Sequence, residues 1–252
     1  MTNTTTVSPS ACVLLIGNEI LSGRTQDKNL SFIGQTLARI GIPLMEARVI
    51  PDIHAVIIDT LNECRHKYDY VFTTGGIGPT HDDITTVAVA AALNLPVTRH
   101  PEADRTLRDY YGAKANAARM KMADVPDGAE LIANPLSMAP GYRIDNVFVL
   151  AGVPAIMQAM MDAIIPQLRQ GTPILSRTLR TDLREGELAA GLNEIQNRYA
   201  DISIGSYPFF THDKLGVNLV LRGTDTEQLD NAANAVEALI KSLDGEVQRL
   251  ES

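Results

Sequence analysis

The stretch Thr73-Thr74-Gly75-Gly76-Ile77-Gly78-Pro79-Thr80-His81-Asp82-Asp83 lies between two contrasting patterns. Before it, Tyr70-Val71-Phe72 reads as a buried parallel strand, and after it Ile84 to Leu93 reads as a helix. A strand, a glycine-rich turn and a helix start bring backbone N–H groups and a positive dipole end to one point, which suits phosphate or pyrophosphate. Two adjacent carboxylates would repel such an anion unless a divalent cation lay between them, so the stretch points to metal-assisted phosphate chemistry. The loop is neither a Walker sequence nor G-x-G-x-x-G, and those nucleotide folds are not indicated.

Upstream, Cys12 to Ile16 is an apolar strand ending in Gly17-Asn18-Glu19, and a helix with Leu30, Ile33, Leu37 and Ile40 on one face stops at Gly41. Leu44 to Ile50 reads as a second strand, and Pro51-Asp52 opens a helix with a stripe of Ile53, Val56, Ile57 and Leu61. This β-α-β-α-β-α alternation is that of a mostly parallel sheet covered by helices on both faces. Downstream, Pro101 to Ala123 reads as one long polar helix, and Asp145-Asn146 as a tight turn between Tyr142-Arg143-Ile144 and Val147 to Leu150. A Met-rich helix after Pro154 closes near Leu168, with Met157, Met160 and Met161 as core. Arg169 to Pro173 is the linker, and the β-α-β-β-α-β order that follows fits a small ferredoxin-like or KH-like α+β domain. The expected division is a disordered tail over 1–10, an α/β domain over 11–168 and the small domain over 174–252.

At 252 residues and 45% hydrophobic content, the chain can bury a sizeable core. Its net charge of −8 argues against nucleic acid and anionic membrane as partners. Cys12 and Cys64 lack C-x-x-C spacing and read as reduced, buried thiols. The start lacks a signal-peptide pattern and no apolar run reaches membrane length, so a soluble cytoplasmic protein is expected.

The acids carry competing readings. Thr80 and Asp83 stand at capping-box spacing, so one of Asp82 and Asp83 can cap the following helix while the other stays free for a ligand. Asp52 reads as a first-turn cap, yet it also ends a strand beside the central one. Glu19 and Asp27 lie in the first strand-end loop, and convergence of these acids on one sheet edge would make an oxygen-ligand metal site. Among the histidines (His54, His66, His81, His100, His212) no metal-ligand spacing appears. Arg105 to Lys121 reads as a solvated basic face, with Arg119 and Lys121 as alternative phosphate clamps.

Ile16-Gly17-Asn18-Glu19-Ile20-Leu21-Ser22-Gly23, Asp27-Lys28-Asn29, the central loop, Asn134-Pro135 with Ser137-Met138-Ala139-Pro140-Gly141, and Leu150-Ala151-Gly152-Val153-Pro154 carry a resemblance. Together they resemble the competence/damage-inducible protein A family in its short form, and are similar to the molybdopterin-binding-like domain of eukaryotic FAD synthases. The resemblance implies a three-layer molybdopterin-binding-like α/β domain, MoaB/Mog-like, with the ligand at the carboxyl ends of the strands. It implies a nucleotide or pterin ligand, a homo-oligomer, and Asp52 and Asp83 in metal and phosphate chemistry.

Three activities follow as expectations. The first is a nucleotide pyrophosphatase using Mg²⁺, Mn²⁺ or Co²⁺ on ADP-ribose- or FAD-like substrates. The others are a pterin-binding adenylyl-transfer protein of molybdenum cofactor biosynthesis, with molybdopterin as ligand, and a non-catalytic nucleotide-binding module. The expected catalytic residues are Asp83, Asp82 and Asp52, with metal on Asp82 and Asp83. Substrate contacts are expected from Gly17, Asn18, Glu19, Asp27 and Asn29, from Thr74, Gly75, Gly76, Gly78, Pro79 and Thr80, and from Ser137, Pro140, Gly141, Gly152, Val153 and Pro154.

Overall fold

The computed structural model describes residues 8–211 and 214–250 and divides into two compact units between Gly171 and Thr172. His212 lies outside the described residues, as do residues 1–7 of the tail expected over 1–10. Ser8 to Ser10 are ordered into the first unit: Pro9 is buried, and Ser10 donates its N–H (2.8 Å) and hydroxyl to Asp69.

The first unit runs β1 (Ala11–Ile16), α1 (Asn18–Leu21), α2 (Asn29–Arg39), β2 (Leu44–Ile50), α3 (His54–Lys67), β3 (Tyr70–Thr74) and α4 (Thr85–Ala92). Then follow β4 (Val97–Arg99), α5 (Pro101–Tyr111), α6 (Ala117–Met120), β5 (Asp124–Pro126), β6 (Glu130–Ile132), β7 (Gly141–Ile144), β8 (Val147–Leu150) and α7 (Pro154–Ile164). One six-stranded sheet has the order β2-β1-β3-β8-β7-β6, in which β7 alone runs against the others. The strands are apolar throughout because both faces are covered. Cys12, Leu14 and Ile16 of β1 face Ile57, Leu61 and Cys64 of α3 and Val89 of α4. Val13 and Leu15 turn the other way, to Ile33 and Leu37 of α2 and the Met157, Met160 and Met161 stripe of α7.

Three local expectations are corrected. The long helix over Pro101–Ala123 is broken by Gly112, at φ 50°, into α5, α6 and two short 3₁₀ turns, and β4 and β5 flank it as a two-stranded sheet. The helix after Pro51 starts at His54, so Ile53 precedes it and is 52% exposed while Ile57 and Leu61 carry the buried stripe. Ile84, not an acid, occupies the position before α4 and makes no side-chain cap. The Asp145 turn is as expected, with Asp145 at φ 55°.

The second unit is β9 (Leu175–Thr181), α8 (Glu185–Arg198), β10 (Ser203–Thr211), β11 (Lys214–Gly223), α9 (Thr226–Ser242) and β12 (Val247–Leu250). Its antiparallel sheet has the order β10-β11-β9-β12, the ferredoxin-like arrangement, and both helices pack on one apolar face through Leu188, Leu229, Val236 and Ile240.

Two outcomes test this architecture. Phe72 and Phe148 stack at 5.1 Å between paired strands in the α7-side core, so Phe148→Ala should cost about 3–5 kcal/mol in chemical denaturation of the first unit. On the other face, Glu46 accepts from the Tyr68 hydroxyl, from Lys67 at 2.9 Å and from Arg48 at 2.5 Å, which hold its carboxyl at about 2 against an ordinary 4.5. A lowered carboxylate pKa stabilises above the unfolded value and the contribution is lost as pH falls through the folded one. Glu46→Gln should therefore flatten the stability loss between about pH 4.5 and 2, read as the melting temperature against pH.

Candidate functional site

Three strand ends meet where β3 runs into the glycine loop. Gly75 stands at φ 101°, and a Cβ there would lie 2.2 Å from the Ile16 carbonyl oxygen at the end of β1. Its N–H donates to the Leu150 carbonyl at the end of β8, and Gly152 lies against its Cα. Gly76, at φ 69°, leaves no room for a side chain because the Thr85 hydroxyl would lie 2.1 Å from its Cβ. Backbone contacts this close are open only to glycine, and the positive φ angles favour it as well. The loop from Gly75 to Ile84 therefore hangs from β1, β3 and β8 at their carboxyl ends, where ligands bind in open α/β sheets.

The structure brings Asp82 and Asp83 together at Thr80. Asp83 accepts from the Thr80 N–H at 2.8 Å, and both carboxylates reach the Thr80 hydroxyl, each at 2.5 Å. The Thr80 hydroxyl, first among its partners, holds the Asp82 carboxyl below the usual carboxylate range. Asp83 also covers Gly78, where an added Cβ would meet its Oδ2 at 2.6 Å. The Lys121 ammonium pins this loop by donating to the Thr80 carbonyl at 3.0 Å and the Asp83 carbonyl at 2.9 Å. Lys121 is thus a clip on the loop backbone. Arg119 is turned away, over the Tyr111 ring and onto the Lys114 carbonyl.

The other acids do not join this pair. Asp52 accepts the Asn18 N–H at 2.8 Å, so it caps α1 across the strand ends and not the helix that follows it. Asp27 accepts the Leu30 N–H at 2.9 Å, capping α2. Glu19 folds over Gly17, whose Cβ would lie 2.5 Å from Glu19 Oε1. The expected convergence is therefore not found: among the described residues no group of three or more His, Cys, Asp or Glu side chains is placed to hold a metal.

Asn29, buried at the first position of α2, donates to the Gly152 carbonyl at 2.9 Å, which ties the first loop to the Gly152-Val153-Pro154 turn. Its Oδ1 and the Thr85 hydroxyl are buried without a hydrogen-bond partner. Asn134 organises its own loop by accepting from the Leu136 and Ser137 N–H groups and donating to Ser137 and the Ala139 carbonyl. Ser137 is engaged there, whereas Pro140 reaches the loop. Pro140, Gly78, Asp83, Thr86, Lys121 and Tyr142 line a cavity of about 60 Å³. Tyr142 is fully buried, and burial pushes its phenol above the ordinary value. Thr86, Tyr142 and Asp124 at this cavity were missed in the sequence, because a threonine in a helix and a tyrosine in a strand carry no signal of their own.

A mostly parallel three-layer sheet with a glycine loop and a carboxylate pair at its strand ends defines a ligand-binding α/β class. Residues 12–170 match the family described as a probable molybdopterin binding domain, and residues 173–247 match the FAD synthase middle domain. A protein from Archaeoglobus fulgidus is 30% identical over 90% of this chain and 96% of its own. A CinA-like protein from Syntrophus aciditrophicus is 32% identical over 93% of this chain, and a probable FAD synthase from Caenorhabditis elegans 29% identical over 92%. The chain spans 59% and 50% of the lengths of these last two. The structure of a CinA protein of unknown function from Thermoplasma acidophilum covers 64% of this chain and 98% of its own, at 32% identity and a TM-score of 0.60. The chain belongs to the molybdopterin-binding-domain family, in its CinA-like branch. Among the described residues no helix is long and apolar enough to cross a membrane.

Gly75→Ala should cost about 1–2 kcal/mol from the positive φ alone, with more from the clash at Ile16. Urea denaturation measures the cost, and a neutral substitution would contradict the close approach described above.

Proposed function

We propose that the chain is a divalent-metal-dependent nucleotide pyrophosphatase acting on ADP-ribose- or FAD-like substrates. The observation that carries this reading is the meeting of Asp82 and Asp83 on one hydroxyl. The Thr80 hydroxyl has a single proton for two carboxylate oxygens at 2.5 Å and the Thr80 N–H serves Asp83 as well, so two negative charges are held side by side where a cation would be favoured. Lys121 is spent on backbone carbonyls and the exposed His81 stands 4.0 Å from Asp82, and we assign the pair's principal partner to a divalent cation. Two carboxylates without a third protein ligand fit Mg²⁺-like binding, in which one or two carboxylates share the ion with substrate phosphates and water. Such an ion, when bound, neutralises the phosphate charge that builds up in hydrolysis.

The chain's own residues then divide the work. The backbone N–H groups of Gly76, Ile77 and Gly78 face the pyrophosphate, since those of Gly75 and Thr80 are engaged and Pro79 has none, and Asp82 and Asp83 hold the metal side. Asp52 positions the Asn18 loop through its N–H. Glu19, exposed and not a helix cap, orients the water that attacks phosphorus as the P–O bond to the leaving phosphate breaks. The match of residues 173–247 to a FAD synthase domain supports a substrate that contains an adenine nucleotide pyrophosphate.

The match of residues 12–170 to a molybdopterin binding domain favours one alternative chemistry at the same loop, adenylyl transfer to a pterin. Incubation with ADP-ribose or FAD and Mg²⁺, Mn²⁺ or Co²⁺ should release AMP, and chelator should stop the release. Asp83→Asn keeps an acceptor for the Thr80 N–H, so it should fold while losing about 100-fold or more in kcat/KM. Full activity in that variant would remove Asp83 from the site, and adenylyl-pterin in place of AMP would select the transfer chemistry.

A further inference from the structure

The sheet of the second unit packs its helices on one face, through alternate strand residues such as Leu179, Leu219 and Leu221. The intervening residues make up the other face, which carries Arg180 of β9, Tyr207 and Phe209 of β10, and Asn218 and Arg222 of β11. Among the described strand residues of that face none is acidic, in a chain whose net charge is −8.

Two glycines give this face its shape. A Cβ at Gly205 would lie 2.8 Å from Cε2 of Tyr207, and one at Gly216 would lie 2.7 Å from Cζ of Phe209. Both rings therefore lie flat on the backbone, each over a glycine, and do not stand up from the sheet. Tyr207 is 50% exposed, with the outer side of its ring open. Phe209 carries the Arg180 guanidinium 4.4 Å from its ring centre, and Arg180 Nε donates to Asn218 Oδ1 at 3.1 Å.

The arginines of the two faces differ. On the helix side Arg177 pairs with Asp230 and Arg249 with Glu237, each at 2.8 Å. On the open face neither Arg180 nor Arg222 has a carboxylate partner among the described residues, and both are exposed. Arg222 lies four residues beyond Asn218 on β11, about 13 Å along the strand. Stacking on Phe209 holds the Arg180 guanidinium on the side of Asn218 away from Arg222. The Tyr207 ring falls between the two cations, over Gly205, whose partner Val220 is midway from Asn218 to Arg222.

We infer that this face binds single-stranded nucleic acid, with one base stacked on the Tyr207 ring and phosphates on either side of it held by Arg180 and Arg222. An aromatic ring laid flat accepts any base, and a guanidinium takes phosphate oxygens in its fork. The separation of the cations selects an oligonucleotide over a mononucleotide, because one phosphate cannot touch both. The chain's net charge supplies no long-range attraction, so the contact is local, weak and tolerant of sequence. It lies on the second unit and does not depend on the activity proposed for the first.

With chelator present, a fluorescein-labelled hexamer of deoxyadenylate should bind the full chain, read by fluorescence anisotropy. The logarithm of the binding constant should fall against that of salt concentration with a slope of about −1.4, for two phosphates. Arg222→Gln should bring the slope to about −0.7. Tyr207→Ala should weaken binding about tenfold and leave the slope as it is. Both side chains are exposed, so the melting temperature should not move, and Arg177→Gln on the helix side should bind as the wild type does. No binding of the hexamer, equal competition by AMP or by a hexamer of glutamate, undiminished binding in Tyr207→Ala, or a wild-type slope in Arg222→Gln would overturn the proposal.

Discussion

The approach of Gly75 to the Ile16 carbonyl is the constraint on which the rest of the first unit depends. Side chains normally keep neighbouring strand ends apart; here their absence at Gly75 and Gly152 lets the ends of β1, β3 and β8 close to backbone contact. The Gly17 N–H then reaches the Ile50 carbonyl and the Asn18 N–H reaches Asp52, so β2 is drawn into the same edge. The loops are fixed against one another by main-chain contacts, with the Asp52 and Asn29 side chains closing the set. A site held in this way stays rigid although it is made of loops, which electrostatic catalysis requires of its donors.

The charge balance follows from that geometry. A chain of net charge −8 does not attract an anion by its overall field, so an anionic ligand needs local donors. The nearest ammonium, Lys121, is committed to two loop carbonyls. It stabilises the loop's shape and presents its backbone, and under the proposed function the positive partner for the two carboxylates is a metal ion from solution. Metal and anionic substrate would in this way depend on each other for binding, each compensating the other's charge.

What the sequence made legible was what local rules govern. The β1, β2 and β3 strands, the stop at Gly41, the Asp145 turn and the order of the second unit all follow from periodicity and turn chemistry, and the structure has them. The break at Gly112 was not legible, because a single glycine inside a polar helical pattern is tolerated as often as it terminates one. Ile53 fits the helical spacing of its stripe, but the chain does not enter the helix until His54. Lys121 as a clip depends on a contact with a loop some forty positions earlier, and no spacing rule encodes it.

The acids make the same point more sharply, since one residue type takes four roles. Asp27 and Asp52 each answer a backbone N–H, one in its own helix and one across two strands. Glu19 packs over a glycine, and Asp82 and Asp83 turn back on a shared threonine. Sequence places all five at strand ends and cannot rank them, because a carboxylate's role is set by which donors reach it in space. Once those donors are counted, Asp27 and Asp52 have structural partners that account for them. The pair at Thr80 holds two carboxylates side by side on one hydroxyl and one N–H, and the proposed chemistry is placed there.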